Sequence, residues 1–316
     1  MPAARADVPV PASGGDDVVA SSWRTTLRQL QAHVKRDRLS VSAGSLAYHG
    51  FLAFFPAVIA ALGILDLVHL GTGSLRHLAH GIVKALPPGA AGVFQTAVHA
   101  ATRRSAGSVV AVVVGIFVGL WSSTSAMAVL QQVLDMAYEV PADRKFMARR
   151  LRGVPLLVLT GLLGSSAAAL IVFGKPIGSA IDGTLPFGGP AFTLGWTVLR
   201  WVVAFALVSV LFSAYYAYGP YRRRPAWRWA SPGSLLASGV FLVGSLGFSY
   251  YVSSFGSYGK TYGSFAGVAI FIFWMYLAAL AVLLGGELNA QLEREGRSGL
   301  GVSRTRSRSR RGDPSG

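Results

Sequence analysis

The chain has 316 residues, 52% hydrophobic and 13% charged, with a mean hydropathy of +0.49. That balance excludes an ordinary soluble domain of this length and suits a polytopic membrane protein whose surface is largely lipid-facing. The formal net charge of +16 acquires meaning only from where the basic residues lie, and the absence of cysteine excludes disulfide frameworks, thiolate metal sites and cysteine nucleophiles.

Residues 1–22, rich in Pro, Ala, Gly and Asp without periodicity, read as disordered. The first 40 residues contain no apolar core with a small-residue cleavage site, so the first spanning helix is expected to act as the insertion signal. Over 23–40, Trp23, Leu27, Leu30 and Val34 recur at helical spacing between Arg24, Arg28, Lys35, Arg36 and Arg38. This is the pattern of an amphipathic helix, either lying among lipid headgroups or packed on the ends of a bundle.

A transmembrane domain is expected over 41–293. Six apolar segments, at about 44–65, 107–130, 154–173, 193–218, 232–252 and 264–288, are each long enough to cross a bilayer. Pro56 falls near the middle of the first, where a kink is expected because proline removes a backbone hydrogen bond. The amino-terminal region, the second-to-third and fourth-to-fifth connections and the tail together hold twenty-two Lys and Arg; the alternate connections hold six. By the positive-inside rule this predicts an all-α protein with six spans and both termini in the cytoplasm.

The first external connection, 66–106, contains Leu-Pro-Pro-Gly between two stretches of helical pattern and reads as two short helices on the outer face. The second, 174–192, is rich in Gly and Pro and reads as a loop or a partly re-entrant segment. The third, 253–263, reads as a tight Gly and Tyr hairpin. Residues 294–316, with RTRSRSRR at 304–311, read as a basic disordered cytoplasmic tail touching anionic lipid. Clustered arginines also contact phosphates without sequence preference, but no specific nucleic acid is expected as a partner.

The alternating direction of the spans sets the depth of each polar residue. Tyr48, Ser125, Tyr215, Tyr216, Ser234, Ser238, Glu287 and Asn289 all fall in the cytoplasmic third, which suggests a polar cavity open to the cytoplasm. In it Glu287, at the end of the uncharged run Tyr262–Gly286, would bind a cation or headgroup amine, or exchange a proton. The plainer alternative has Glu287 snorkelling to the interface or pairing with Arg294 or Arg150 to tie helix ends together. Arg200, the one basic residue within a span, is a candidate contact for an anionic headgroup, or snorkels outward beside the belt residues Trp196 and Trp201. Asp135, Glu139 and Asp143, beside Arg144 and Lys145, read as a solvated, salt-bridged helix end.

His69, His77, His80 and His99 share the first external connection, but Asp66 is the nearby carboxylate and a third ligand of defined geometry is wanting, so no metal is expected. Phosphate-binding Gly loops ending in Lys-Ser or Lys-Thr, His-Glu-x-x-His and Gly-x-Ser-x-Gly are missing, so neither a cofactor nor an enzyme activity is expected.

Four stretches together carry a family likeness: SAGSLAYHGFLAFFPAVIAALGIL (42–65), LWSSTSAMAVLQQVLDMAYEV (120–140), YGPYRRRPAWRWASPGSLLASG (218–239) and LGFSYYVSSFGSYGKTYGSFAGVAIFIFWMYLAALAVLLGGELNA (246–290). In this order they resemble the BrkB/YihY family of bacterial inner-membrane proteins, once labelled ribonuclease BN. The resemblance covers residues 25–293 and implies six helices with both ends cytoplasmic. It also implies membrane lipids as partners and a lipid or amphipathic solute as substrate, since some members are suspected of exporting lipid-linked material and others are linked to serum resistance. A non-transporting scaffold for cell-envelope proteins is the alternative, and assembly as a homo-oligomer stays open.

Overall fold

The segment Leu211–Ala217 is buried at every residue, so its helix is enclosed by neighbours on all sides there. It belongs to a chain that a computed structural model describes over residues 39–67, 95, 109–140, 145–183, 189–221, 230–254 and 258–309. The described elements are helices: α1 (Leu39–Leu67), α2 (Val109–Ala137), α3 (Phe146–Leu159), α4 (Ser165–Asp182), α5 (Pro190–Tyr218), α6 (Pro232–Ser254) and α7 (Tyr258–Ser309). A π-helical turn, Thr160–Gly164, joins α3 to α4 in one continuous run.

Each helical run packs on the next in sequence: α1 on α2, α2 on α3, α4 on α5, α5 on α6 and α6 on α7. α7 then returns to α1 and closes a ring. The main core gathers Leu130 and Leu134 of α2, Leu156 of α3, and Val208, Phe212, Tyr215 and Tyr216 of α5 against Ala237 of α6 and Val282 of α7. A second cluster joins Leu39 and Ala43 of α1 to Val133 of α2 and Ala279 and Leu283 of α7. Burial is therefore concentrated where α2 and α5 end and α6 begins. The other half of α5 exposes Leu194, Val198 and Val202, and α6 exposes Val243, Leu246 and Tyr250, an apolar surface suited to lipid.

Four of the described runs, Phe146–Asp182, Pro190–Tyr218, Pro232–Val252 and Ala266–Arg294, are long and apolar enough to cross a membrane. α1 and α2 have 29 residues each, as α5 does, a length of about 44 Å.

Several predicted boundaries move. The third span, predicted at 154–173, is part of a 37-residue run, and the predicted loop from 174 is helical as far as Asp182. The reason is that Gly174 and Gly178 are packing residues and not turn residues: the Arg200 side chain lies along Gly174, and the Trp196 indole fills the space beside Gly178 and donates to the Gly174 carbonyl. The two small residues one turn apart thus face two large ones one turn apart. α1 continues through Pro56. α6 runs to Ser254 and α7 starts at Tyr258, so much of the predicted hairpin is helix. α7 also continues to Ser309, where a disordered tail was predicted.

The expectations for residues 1–38, for the short helices and histidines of 68–106 and for the basic connection 222–229 fall outside the described residues, residue 95 apart.

Candidate functional site

The sequence Gly285-Gly286-Glu287 places a carboxylate inside the protein. With no side chain at Gly285, the backbone of α7 lies directly on the backbone of Gly233 in α6 and beside the Tyr216 hydroxyl of α5; Gly286 lies against Leu134 and the Tyr216 ring. Tyr216 donates to the Val282 carbonyl at 2.7 Å, fixing α5 to α7. Helices this close shut water out, and Glu287 is only 1% exposed. Its carboxylate accepts a hydrogen bond from Nη2 of Arg294 at 3.3 Å, while Nη1 of the same arginine meets Glu139 at 2.7 Å. Glu139 stands just past α2, in the left-handed region at φ 50°, where the chain turns. One guanidinium thus serves an interior acid on α7 and a half-exposed acid at the end of α2.

Beside this pair, the first turn of α6 is closed by side chains. Ser231 caps the helix: its hydroxyl accepts from the Ser234 N–H at 3.1 Å, and the Ser234 hydroxyl accepts from the Ser231 N–H at 2.9 Å. This is the reciprocal capping box, with Pro232 as the first helical residue. Asn289 of α7 completes it, accepting from the Gly233 N–H at 2.9 Å and donating to the Ser231 hydroxyl at 2.7 Å. Ser238 donates back to the Ser234 carbonyl at 2.8 Å. The free N–H groups that make a helix start attractive to anions are spent on neutral protein acceptors here.

A third group ties α2 to α3. Asp135 is buried, accepts from the Tyr221 N–H at 2.6 Å and pairs with Arg149 at 3.5 Å. Gln131, also buried, donates to the Arg149 carbonyl at 3.1 Å. Ser125 accepts from Nη2 of Arg150 at 2.8 Å. On α5, the Tyr215 hydroxyl bonds Thr160 at 2.6 Å, at the first residue of the π turn.

Of the eight predicted cavity residues, the structure gathers Tyr216, Ser234, Ser238, Glu287 and Asn289 where α5, α6 and α7 meet. Tyr215 and Ser125 belong to separate contacts, with Thr160 and Arg150. Tyr48 is a correction: it is 56% exposed, with its ring edge-on to His49, because α1 turns its small residues Ala43, Ala47 and Ala53 inward instead. Asp135 is a second correction, since it is a buried partner of Arg149 and not part of a solvated helix end. Between the two predicted partners of Glu287, the structure supplies Arg294. Arg200 packs on Gly174, and its Nε atom is buried without a hydrogen-bond partner among the described residues.

Sequence reasoning missed Ser231, Gly233, Gln131 and Thr160. The Ser-Pro-x-Ser pattern at 231–234 is a legible capping signal; Gln131 and Thr160 have no local signal, because their partners are distant in sequence. Among the described residues, no three His, Asp or Glu side chains converge as metal ligands would.

A family model described as virulence factor BrkB matches residues 30–309. The chain belongs to the BrkB family. Among its relatives, the ribonuclease-like protein YfkH of Bacillus subtilis is 30% identical over 80% of this chain and 89% of its own length. A UPF0761 membrane protein of Methylibium petroleiphilum is 25% identical over 85% of this chain, which spans 62% of that longer relative. Another, of Photobacterium profundum, is 28% identical over 84% of this chain and 80% of its own. No solved structure matches.

Proposed function

We propose that this BrkB-family protein sits in the bacterial plasma membrane with six spans and both termini cytoplasmic. In this reading it moves, or helps move, a lipid or other amphipathic solute. The Lys and Arg asymmetry of twenty-two against six supports the topology. The observation that carries the functional reading is the interior carboxylate of Glu287, held by an arginine that it shares with Glu139. An ionised carboxylate in a low-dielectric interior depends on its cation. A swing of Arg294 toward Glu139 weakens that hold and raises the affinity of Glu287 for a proton, a cation or a headgroup amine. Return of the arginine expels it. The exchange links an interior charge to the position of two helix ends, which is what a coupled transporter requires.

The test is reconstitution of the purified protein in liposomes carrying labelled phospholipid, with and without an ion gradient. Transfer that depends on the protein and responds to the gradient supports the reading; no movement of any phospholipid class under either condition overturns it.

A second reading, a membrane scaffold that binds envelope proteins through its basic connections and tail, is favoured by the closed hydrogen bonding of Ser231, Ser234 and Asn289. The chain has no cysteine, so Glu287→Cys can be labelled without background. Labelling by a water-soluble maleimide from the cytoplasmic side favours the transporter, and complete protection favours the scaffold.

A further inference from the structure

Arg150 is held in a way that Arg149 and Arg294 are not. Each of those meets a carboxylate, whereas Arg150 meets none among the described residues. Its guanidinium carbon lies over two aromatic rings, 3.9 Å from the centroid of Trp121 and 4.7 Å from that of Phe146. Nη1 donates to the Trp121 carbonyl at 3.0 Å and Nη2 to Ser125 at 2.8 Å, while Nε has no partner among the described residues. A guanidinium carries more N–H donors than these two bonds use. Trp121 falls inside the second predicted span, about 14 Å along the helix from its predicted end at residue 130, where an unneutralised cation is costly in a membrane.

The surroundings indicate what neutralises it. Trp121 is 46% exposed and stacks on Phe117, which is 66% exposed; Phe146 is 64% exposed. Leu151 and Val158 continue the exposed apolar surface along the same run of helix. A soluble anion finds nothing to gain from such walls, whereas a phospholipid sets its phosphate on the guanidinium and its chains along Phe117, Trp121, Leu151 and Val158. Cation–π contacts with the two rings hold the guanidinium in place, and the second N–H of each Nη atom is left for a phosphate. We propose that Arg150, clamped by Trp121 and Phe146, is the phosphate site of a bound anionic phospholipid on the α2–α3 surface. This does not rest on transport: a lipid held here serves a transporter or a scaffold equally.

The experiment is native mass spectrometry of the full chain titrated with short-chain phosphatidylglycerol, with short-chain phosphatidylcholine and glycerol 3-phosphate as comparison ligands. The proposal predicts preferential retention of phosphatidylglycerol, reduced roughly tenfold or more by Arg150→Gln, the worth of a charge-assisted pair, and less by Arg150→Lys. Equal retention by the wild type and Arg150→Gln, or equal binding of both lipids, overturns it, and binding of glycerol 3-phosphate as strong as that of the lipid overturns the lipid assignment. If Arg150→Gln does not fold, Phe146→Ala decides, because it removes one of the two rings over which the guanidinium lies: weakened phosphatidylglycerol retention upholds the site and unchanged retention rejects it.

Discussion

Asn289 accepts a hydrogen bond from the backbone N–H of Gly233 at 2.9 Å, so the last helix of the chain caps the first turn of the helix before it. The same amide donates to Ser231 at 2.7 Å, and both ends of the contact are buried. Two residues earlier on α7, Glu287 enters the interior. The cap therefore fixes where α7 sits on α6, within one helical turn of the buried acid.

Replacing Asn289 by Leu leaves the Gly233 N–H unpaired in a buried place. The expected loss is about 1–3 kcal/mol, the cost of an orphaned buried donor, visible as a lower thermal unfolding midpoint in detergent. An unchanged midpoint would mean that α6 does not depend on α7 for its cap.

Gly285→Ala tests the close approach of α7 to α6. A methyl group there meets the Gly233 carbonyl, the Tyr216 hydroxyl and Ala237 at 2.7 Å, so a loss of about 1–3 kcal/mol is expected from overpacking. Gly239→Ala, on α6 with open space around it, is expected to be neutral or to gain up to about 1 kcal/mol from helix propensity. Comparing their unfolding midpoints checks the geometry; a loss of similar size in both contradicts it.

Four described runs are long and apolar enough to cross a membrane, and these were legible because a 20-residue apolar run has few other uses; Tyr216, Ser234, Ser238, Glu287 and Asn289 were grouped in sequence by lying near corresponding ends of the predicted spans. Facing was not legible. Tyr48 was expected at the level of Glu287 yet is exposed, since α1 presents its alanines inward and nothing in a uniformly apolar helix marks its inner face. The glycines of 174–178 look like loop residues until Trp196 and Arg200 are seen against them. Asp135 was assigned to a solvated helix end by its position, whereas Arg149 and the Tyr221 N–H, brought in by the fold, make it part of the interior; Arg294 was named as a partner of Glu287, but its bond to Glu139 was not foreseen.

The Asp135–Arg149 pair joins α2 to α3, and both side chains are largely buried, at 10% and 13% exposed. Asp135→Asn and Arg149→Gln are each expected to cost up to about 3–5 kcal/mol, because each breaks a largely buried ion pair. The double mutant is expected to lose clearly less than the sum, and a double-mutant cycle on unfolding free energies measures the difference. Strict additivity contradicts a direct pair.

The central claim is that Glu287 works and does not merely hold helices together. The most direct measurement is the initial rate of labelled phospholipid transfer in proteoliposomes containing equal amounts of correctly inserted wild type and Glu287→Gln. The account predicts that the variant inserts to wild-type abundance and loses transfer by roughly tenfold or more, the worth of one charge interaction of about 1.4 kcal/mol or above. A variant that transfers at the wild-type rate, or one whose abundance collapses before transfer can be measured, contradicts it and makes Glu287 a structural tie between α7 and the end of α2.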